Sequence, residues 1–204
     1  MCNRYGNLVS YPQYVDGLTD SGLTLVSPEP SAAPNLEPLD EIRPTDHAPV
    51  IIPAVGGVAL AKFRWGFAPP HSKAGPVINF RSDGRTFTNG RCLIPASHFF
   101  EFTGSRYPKT KWRFTKPDEE WFCIAGLFRP DAKLGETAFT MLTMPPGPDV
   151  APLHDRQVVV LARQEWQSWL DPGVPSDRFF HERPAGFLKA EQVTPEPAPF
   201  LPGL

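Results

Sequence analysis

Arg91-Cys92-Leu93-Ile94-Pro95-Ala96-Ser97-His98-Phe99-Phe100-Glu101-Phe102 reads as two short strands, Arg91–Pro95 and Phe99–Phe102. They belong to a series of runs rich in β-branched and aromatic residues, bounded by Gly, Pro, Asn or Asp. Working outward, the other runs are Val50–Ile52, Val58–Trp65, Val77–Phe80, Lys111–Phe114, Trp121–Leu127, Ala138–Met144 and Val158–Leu161. Gln164–Leu170 reads as a short helix stopped by Asp171-Pro172-Gly173. The chain has 204 residues and 26 prolines, which argue against a helical bundle and for short strands joined by irregular loops. Six prolines fall in 27–49, a loop region, and residues 184–204 read as a proline-rich tail or extended wrap. No composition break splits the middle of the chain. The expectation is one β-rich α+β domain over 1–183, followed by a tail over 184–204.

Three cysteines, Cys2, Cys92 and Cys123, cannot form an even disulfide framework and lack the CxxC spacing of a zinc site. No apolar leader opens the chain, and no apolar run approaches the roughly 18 residues of a membrane span. A soluble, reducing, cytoplasmic setting is expected, with no metal and no organic cofactor. The net charge of −2 is unevenly spread. Ten basic residues lie between Lys62 and Arg113, opposed only by Asp83 and Glu101. Such a stretch suits a local polyanion site, or equally a solvated face paired with the acidic remainder.

P-loop, GxGxxG and HExxH motifs are absent. Removal of Met1 would leave Cys2 as the N-terminus, with a free α-amine and a thiol on one carbon frame. The amine can condense with an aldehyde, and the thiol can then close a thiazolidine ring; alternatively the thiolate attacks a carbonyl. The bland alternative is that Cys2 is only the second residue. Alternation along Phe99–Phe102 puts Phe99 and Glu101 on one face. A carboxylate among aromatic rings is desolvated and raised in pKa, which suits a general acid or base; a solvent-facing edge is the competing placement. Asn79 and Arg81 share one strand face, pairing an amide with a guanidinium for phosphate. His154 opens His154-Asp155-Arg156, where the neighbours supply an orienter and an anion binder. Trp65 is either core or a stacking surface for a base. Cys92 and Cys123 read as core.

Together these motifs resemble the SOS-response-associated peptidase (SRAP) family. Met1-Cys2-Asn3-Arg4-Tyr5 is similar to its Met-Cys-Gly-Arg start. Arg64-Trp65-Gly66-Phe67-Ala68-Pro69 resembles its Trp-Gly-x-x-Pro turn, and Ile78–Asp83 its Asn-Ala-Arg-x-Glu motif. Arg91–Pro95 with Phe99–Phe102 resembles Arg-Cys-Leu-Ile-Pro followed by Phe-Tyr-Glu-Trp. Ala125–Phe128 and Phe139–Thr143 look like its later strands, and His154-Asp155-Arg156 its His-x-Arg-Met-Pro. Asn3, Phe80, Asp83 and Gln157 depart from the family's usual Gly, Ala, Glu and Met.

The resemblance implies mainly antiparallel, barrel-like sheets flanked by short helices. It implies a monomer that senses abasic sites in single-stranded DNA and shields them as a thiazolidine crosslink through Cys2, associating with the nucleoid when bound to DNA. Asn79 would orient the amine, Glu101 would shuttle protons, and His154 would assist and favour reversal or strand cleavage of the lyase type. Arg4, Arg81 and Arg156 would hold flanking phosphates, and Trp65 would stack near the lesion. Two other classes stay open. One is an N-terminal-cysteine peptidase or amidotransferase, including self-processing; the other is a non-covalent single-strand binder.

Overall fold

The computed structural model describes residues 2–26 and 36–193. Its elements run β1 (Arg4–Asn7), α1 (Tyr11–Asp20), β2 (Leu39–Ile42), β3 (His47–Ala54), β4 (Gly57–Trp65), β5 (Asn79–Arg81), β6 (Arg91–Ala96), β7 (His98–Thr103), β8 (Thr110–Thr115), β9 (Phe122–Asp131), β10 (Glu136–Met144), β11 (Gln157–Val158), β12 (Val160–Leu161), α2 (Trp166–Leu170) and β13 (Lys189–Val193). Five strands close on themselves in the order β10-β4-β3-β6-β9-β10, so this barrel has no free edge. Its pairings are antiparallel except β4 with β10. A second sheet, β13-β8-β7-β1-β2, is antiparallel throughout.

Every strand run read from the sequence lies in or beside an observed strand. The run Val158–Leu161 is split, because Val159 turns both its amide and its carbonyl to neighbouring strands, bonding Leu142 O and Ala125 N. The expected helix over 164–170 is a 3-10 turn at Arg163–Glu165 running into α2. Four elements escaped the sequence reading: β1, α1, β2 and β13. β13 corrects the expected boundary at 183. Lys189–Val193 pairs with β8 and Leu188 is buried, so the fold runs through Val193. Residues 194–204, and the prolines at 28, 30 and 34, lie outside the described residues.

Two apolar clusters fill the interior. One holds Tyr5, Trp65, Phe99, Phe114, Phe122 and Phe139 together with Cys2; the other holds Tyr14, Trp121, Trp166 and Trp169. Phe99 shows why Arg91–Phe102 governs the fold. It stacks on Phe114 at 4.9 Å and meets Phe122 edge-on at 6.4 Å, tying the second sheet to the barrel. Cys92 and Cys123 are fully buried core residues, as read.

β1 lies against β7 through a close approach at Gly6, which pairs with His98. A Cβ on Gly6 would overlap the His98 ring and stand 2.6 Å from Asp40 O, the carbonyl that His98 Nε2 contacts at 3.0 Å. Gly6→Ala should therefore cost about 1–3 kcal/mol of overpacking. Urea or thermal melts check this; an unchanged midpoint would mean that β1 can slide without cost. The strand matters because it carries Cys2 to the rest of the site.

Candidate active site

Cys2 precedes β1, and its side chain is almost wholly buried. Its thiol contacts Arg4 O at 3.3 Å. Burial pushes the thiol pKa far up, and the charge of Glu101 pushes it the same way. A thiol so placed stays protonated until a base takes its proton.

Glu101 is near enough for its charge to be felt by the thiol. It occupies the inward face of β7 with Phe99, opposite Trp112 of β8, and is 1% exposed. The solvent-facing alternative is thus excluded. Desolvation lifts its carboxyl pKa to about 7, so both protonation states are populated near neutral pH.

His154 ends a turn from Gly147 in which its amide bonds Val150 O at 2.9 Å. The Arg156 amide donates to His154 Nδ1 at 3.0 Å. Nε2 of the ring stands 3.6 Å from Glu101 Oε2. Burial lowers the His154 pKa more than Asp155, 2.9 Å from Nδ1, raises it. An imidazole and a carboxyl group at this separation can exchange a proton. Gln157, where the family usually has Met, is buried and accepts the Gly147 amide at 2.7 Å. It anchors the turn that delivers His154.

Asn79 opens β5, which is short and pairs in parallel with β10. Its Nδ2 donates to Cys2 O at 2.6 Å. Its Oδ1 is buried with no hydrogen-bond partner among the described residues. An unsatisfied buried acceptor beside the Cys2 backbone is available to an amine or hydroxyl group. Asn79, Cys2, Glu101 and His154 are thus gathered from four separate stretches of chain.

The expected DNA contacts divide differently. Arg81 is exposed at the end of β5. Arg4 Nη1 bonds Glu41 Oε1 at 2.9 Å and its guanidinium lies 5.4 Å over the Phe102 ring. Arg156 is 9% exposed; it forks onto Asp83 at 2.9 and 2.6 Å and reaches Thr143 O at 2.9 Å. Its donors are turned inward, so it braces β10 and the loop after β5 in place of an open phosphate contact. Trp65 needs a like correction. It is fully buried, with Nε1 on Ile78 O at 3.0 Å, Tyr5 edge-on at 5.2 Å and Phe139 stacked at 6.5 Å. No ring face is left for a base.

Glu41 was missed by the sequence reading. On β2, it gathers Arg4, Arg43 (2.8 Å) and Lys111 (2.5 Å). Burial acts to raise its pKa, but the Lys111 and Arg43 hydrogen bonds outweigh this and hold the carboxyl below its ordinary value. Three cations on one carboxylate leave this group with net positive charge. The sequence signal was only Glu41 and Arg43 in a proline-rich stretch, and strand pairing alone joins them to Arg4 and Lys111. Among the described residues no three His, Cys, Asp or Glu side chains group as metal ligands. No helix among them is long and apolar enough to cross a membrane.

The sequence matches the family described as "SOS response associated peptidase (SRAP)" over residues 1–196. It is 26% identical over 189 residues to the abasic site processing protein YoqW of Bacillus subtilis, covering 84% of this chain and 81% of that protein. It is 28% identical over 152 residues to the abasic site processing protein YoaM of the same organism, covering 67% of each chain. Its fold is similar to crystal structures of a Bacteroides thetaiotaomicron protein (TM-score 0.73, 16% identity, 95% of this chain and 93% of that one) and a Bordetella bronchiseptica protein (TM-score 0.69, 24% identity, 95% and 100%).

Proposed function

From the premise that this chain belongs to the SOS response associated peptidase (SRAP) family, we propose that it processes abasic sites in DNA, capturing them in single strands as a thiazolidine on Cys2 once Met1 has been removed. The relatives' names support the substrate class. The observation that carries the chemistry is the grouping of buried Cys2 and Glu101 with half-buried Asn79 and His154, in which a protonated thiol lies near a carboxyl group titrating near 7.

The steps follow from these states. The ring-opened abasic sugar offers an aldehyde at C1′. The Cys2 amine, near 8 in pKa when unperturbed, is partly neutral at pH 7 and adds to that carbon. The carbinolamine loses its hydroxyl as water when protonated Glu101 supplies the proton, which leaves a protonated imine. The resulting carboxylate then takes the thiol proton as sulfur adds to the imine carbon, and the nitrogen keeps its one hydrogen. The net change is one C–N bond, one C–S bond and one water released. His154, with Nε2 3.6 Å from Glu101, assists as acid or base in reversal or cleavage of the imine, and Asn79 Oδ1 accepts from the amine. The cations around Glu41, with Arg81, attract the phosphates. Lyase-type strand cleavage would diverge from the same imine.

Intact-mass spectrometry tests the reading. The purified protein should weigh one methionine residue less than the full chain. Mixed with an oligonucleotide bearing one abasic site, it should gain the oligonucleotide mass less one water. An unshifted mass, or the same shift with undamaged DNA, would remove the proposal.

A further inference from the structure

We propose that Tyr107 is the platform on which a nucleobase flanking the reacting sugar stacks, with Lys109 beside it as a phosphate contact. The inference deepens the function proposed above and rests on it. Residues 104–109, which join β7 to β8, are exposed, and Tyr107 is 88% so. One exposed ring is ordinary by itself. Its company is what points to a ligand. Tyr107 lines a cleft of about 280 Å³ with Asn3, Arg4, Phe102, Pro108 and Lys109. Asn3 follows Cys2 and Phe102 follows Glu101, so the cleft borders the reacting groups. Lys109 is near enough for its charge to lower the His154 pKa.

The lining residues are cationic, aromatic or neutral. Lys109 Nζ lies 5.9 Å from the Tyr107 ring and Arg4 5.4 Å from the Phe102 ring. Rings interleaved with cations suit single-stranded DNA, where each base brings a π-face and each linkage an anion. Buried Trp65 cannot provide this surface. A base held at Tyr107 would hold the neighbouring sugar over Cys2, so Tyr107 positions the substrate without touching the reacting atoms.

The test uses single-stranded oligonucleotides carrying a tetrahydrofuran abasic analogue, which has no aldehyde and reports binding only. 2-Aminopurine is placed on its 5′ side in one strand and its 3′ side in another. The native protein should quench one of the two by stacking. Tyr107→Ala should lose that quenching and bind about tenfold more weakly, while Tyr107→Trp should keep both. With a true abasic site, Tyr107→Ala should need about tenfold more DNA to reach half its maximal crosslinking rate, and its melting midpoint should match the native one. Native-like quenching and affinity in Tyr107→Ala would overturn the inference. A native protein that binds neither strand would overturn this inference and the DNA-processing reading together. Binding and quenching without any covalent product from the true abasic strand would remove the crosslinking reading and leave the stacking role standing.

Discussion

Cys2→Ala is expected to abolish the heat-stable adduct with abasic DNA while leaving an imine that borohydride traps. The variant keeps the N-terminal amine, so the aldehyde still condenses. It has no sulfur, so the five-membered ring cannot close and the imine hydrolyses on heating. Cys2→Ser should behave alike, because an oxazolidine reopens more readily. Cys2 is buried and packs against the cluster containing Tyr5 and Phe99, so melts must accompany the assay. Ala leaves a small cavity and should lower stability by about 1 kcal/mol, far too little to explain loss of the product. A second variant separates amine from thiol. Residues fused ahead of Cys2 turn the amine into an amide, which cannot form an imine although the sulfur is intact. That fusion should also lose the stable adduct. Crosslinking by the fusion at the native rate would show that the thiol acts alone, and a cysteine nucleophile of the peptidase type would become the better account.

Glu101→Gln is expected to slow crosslinking by about 100-fold or more and, at pH 8, to make the fold more stable. Both effects come from one cause. The carboxyl group is lifted from an ordinary 4.5 to about 7 by burial, so the folded protein holds this proton more tightly than the unfolded chain. Stability therefore falls as pH rises from about 4.5 to 7, and the whole penalty is present above 7. The amide of Gln cannot ionise and escapes it, a gain of about 1–3 kcal/mol at pH 8 that should vanish below pH 4.5. The same variant should lose the inflection near pH 7 in the native pH–rate profile, since Gln can neither donate nor accept the proton. Urea melts at pH 4.5 and 8, beside single-turnover crosslinking across that range, measure both. A Gln variant less stable than the native protein at every pH, with an unchanged rate profile, would show that Glu101 is structural. A binding loss as large as the rate loss would point to fold damage.

Much of the architecture was legible because strands advertise themselves locally. Alternation and flanking Gly or Pro report which residues face a core, whatever strand lies next door. β1, α1, β2 and β13 were missed for reasons their residues show. Arg4–Asn7 and Leu39–Ile42 are short and mix polar with apolar positions, and Lys189–Val193 has three exposed and two half-buried residues. In α1, Pro12 falls within the first helical turn, where its missing amide costs nothing, yet proline density argues for loop. Each of these elements exists because a neighbouring strand or cluster completes it.

The sequence by itself determined the strand-rich class, the core fate of Cys92 and Cys123, the single face shared by Phe99 and Glu101, and the chemistry open to an aminothiol at Cys2. These properties belong to one residue or to a period of two along the chain. Tertiary structure alone decided who meets whom. It brought Asn79 to the Cys2 carbonyl across 77 positions of sequence, and His154 to Glu101. It turned Arg156 from an open cation into a brace on Asp83 and Trp65 from a stacking surface into core. It made Glu41 the hub for Arg4 and Lys111. The physical reason is that pKa, exposure and pairing depend on the field and packing of every neighbour. A carboxylate titrates near 7 only because strands distant in sequence exclude water from it, and a guanidinium is free only if no carboxylate folds against it.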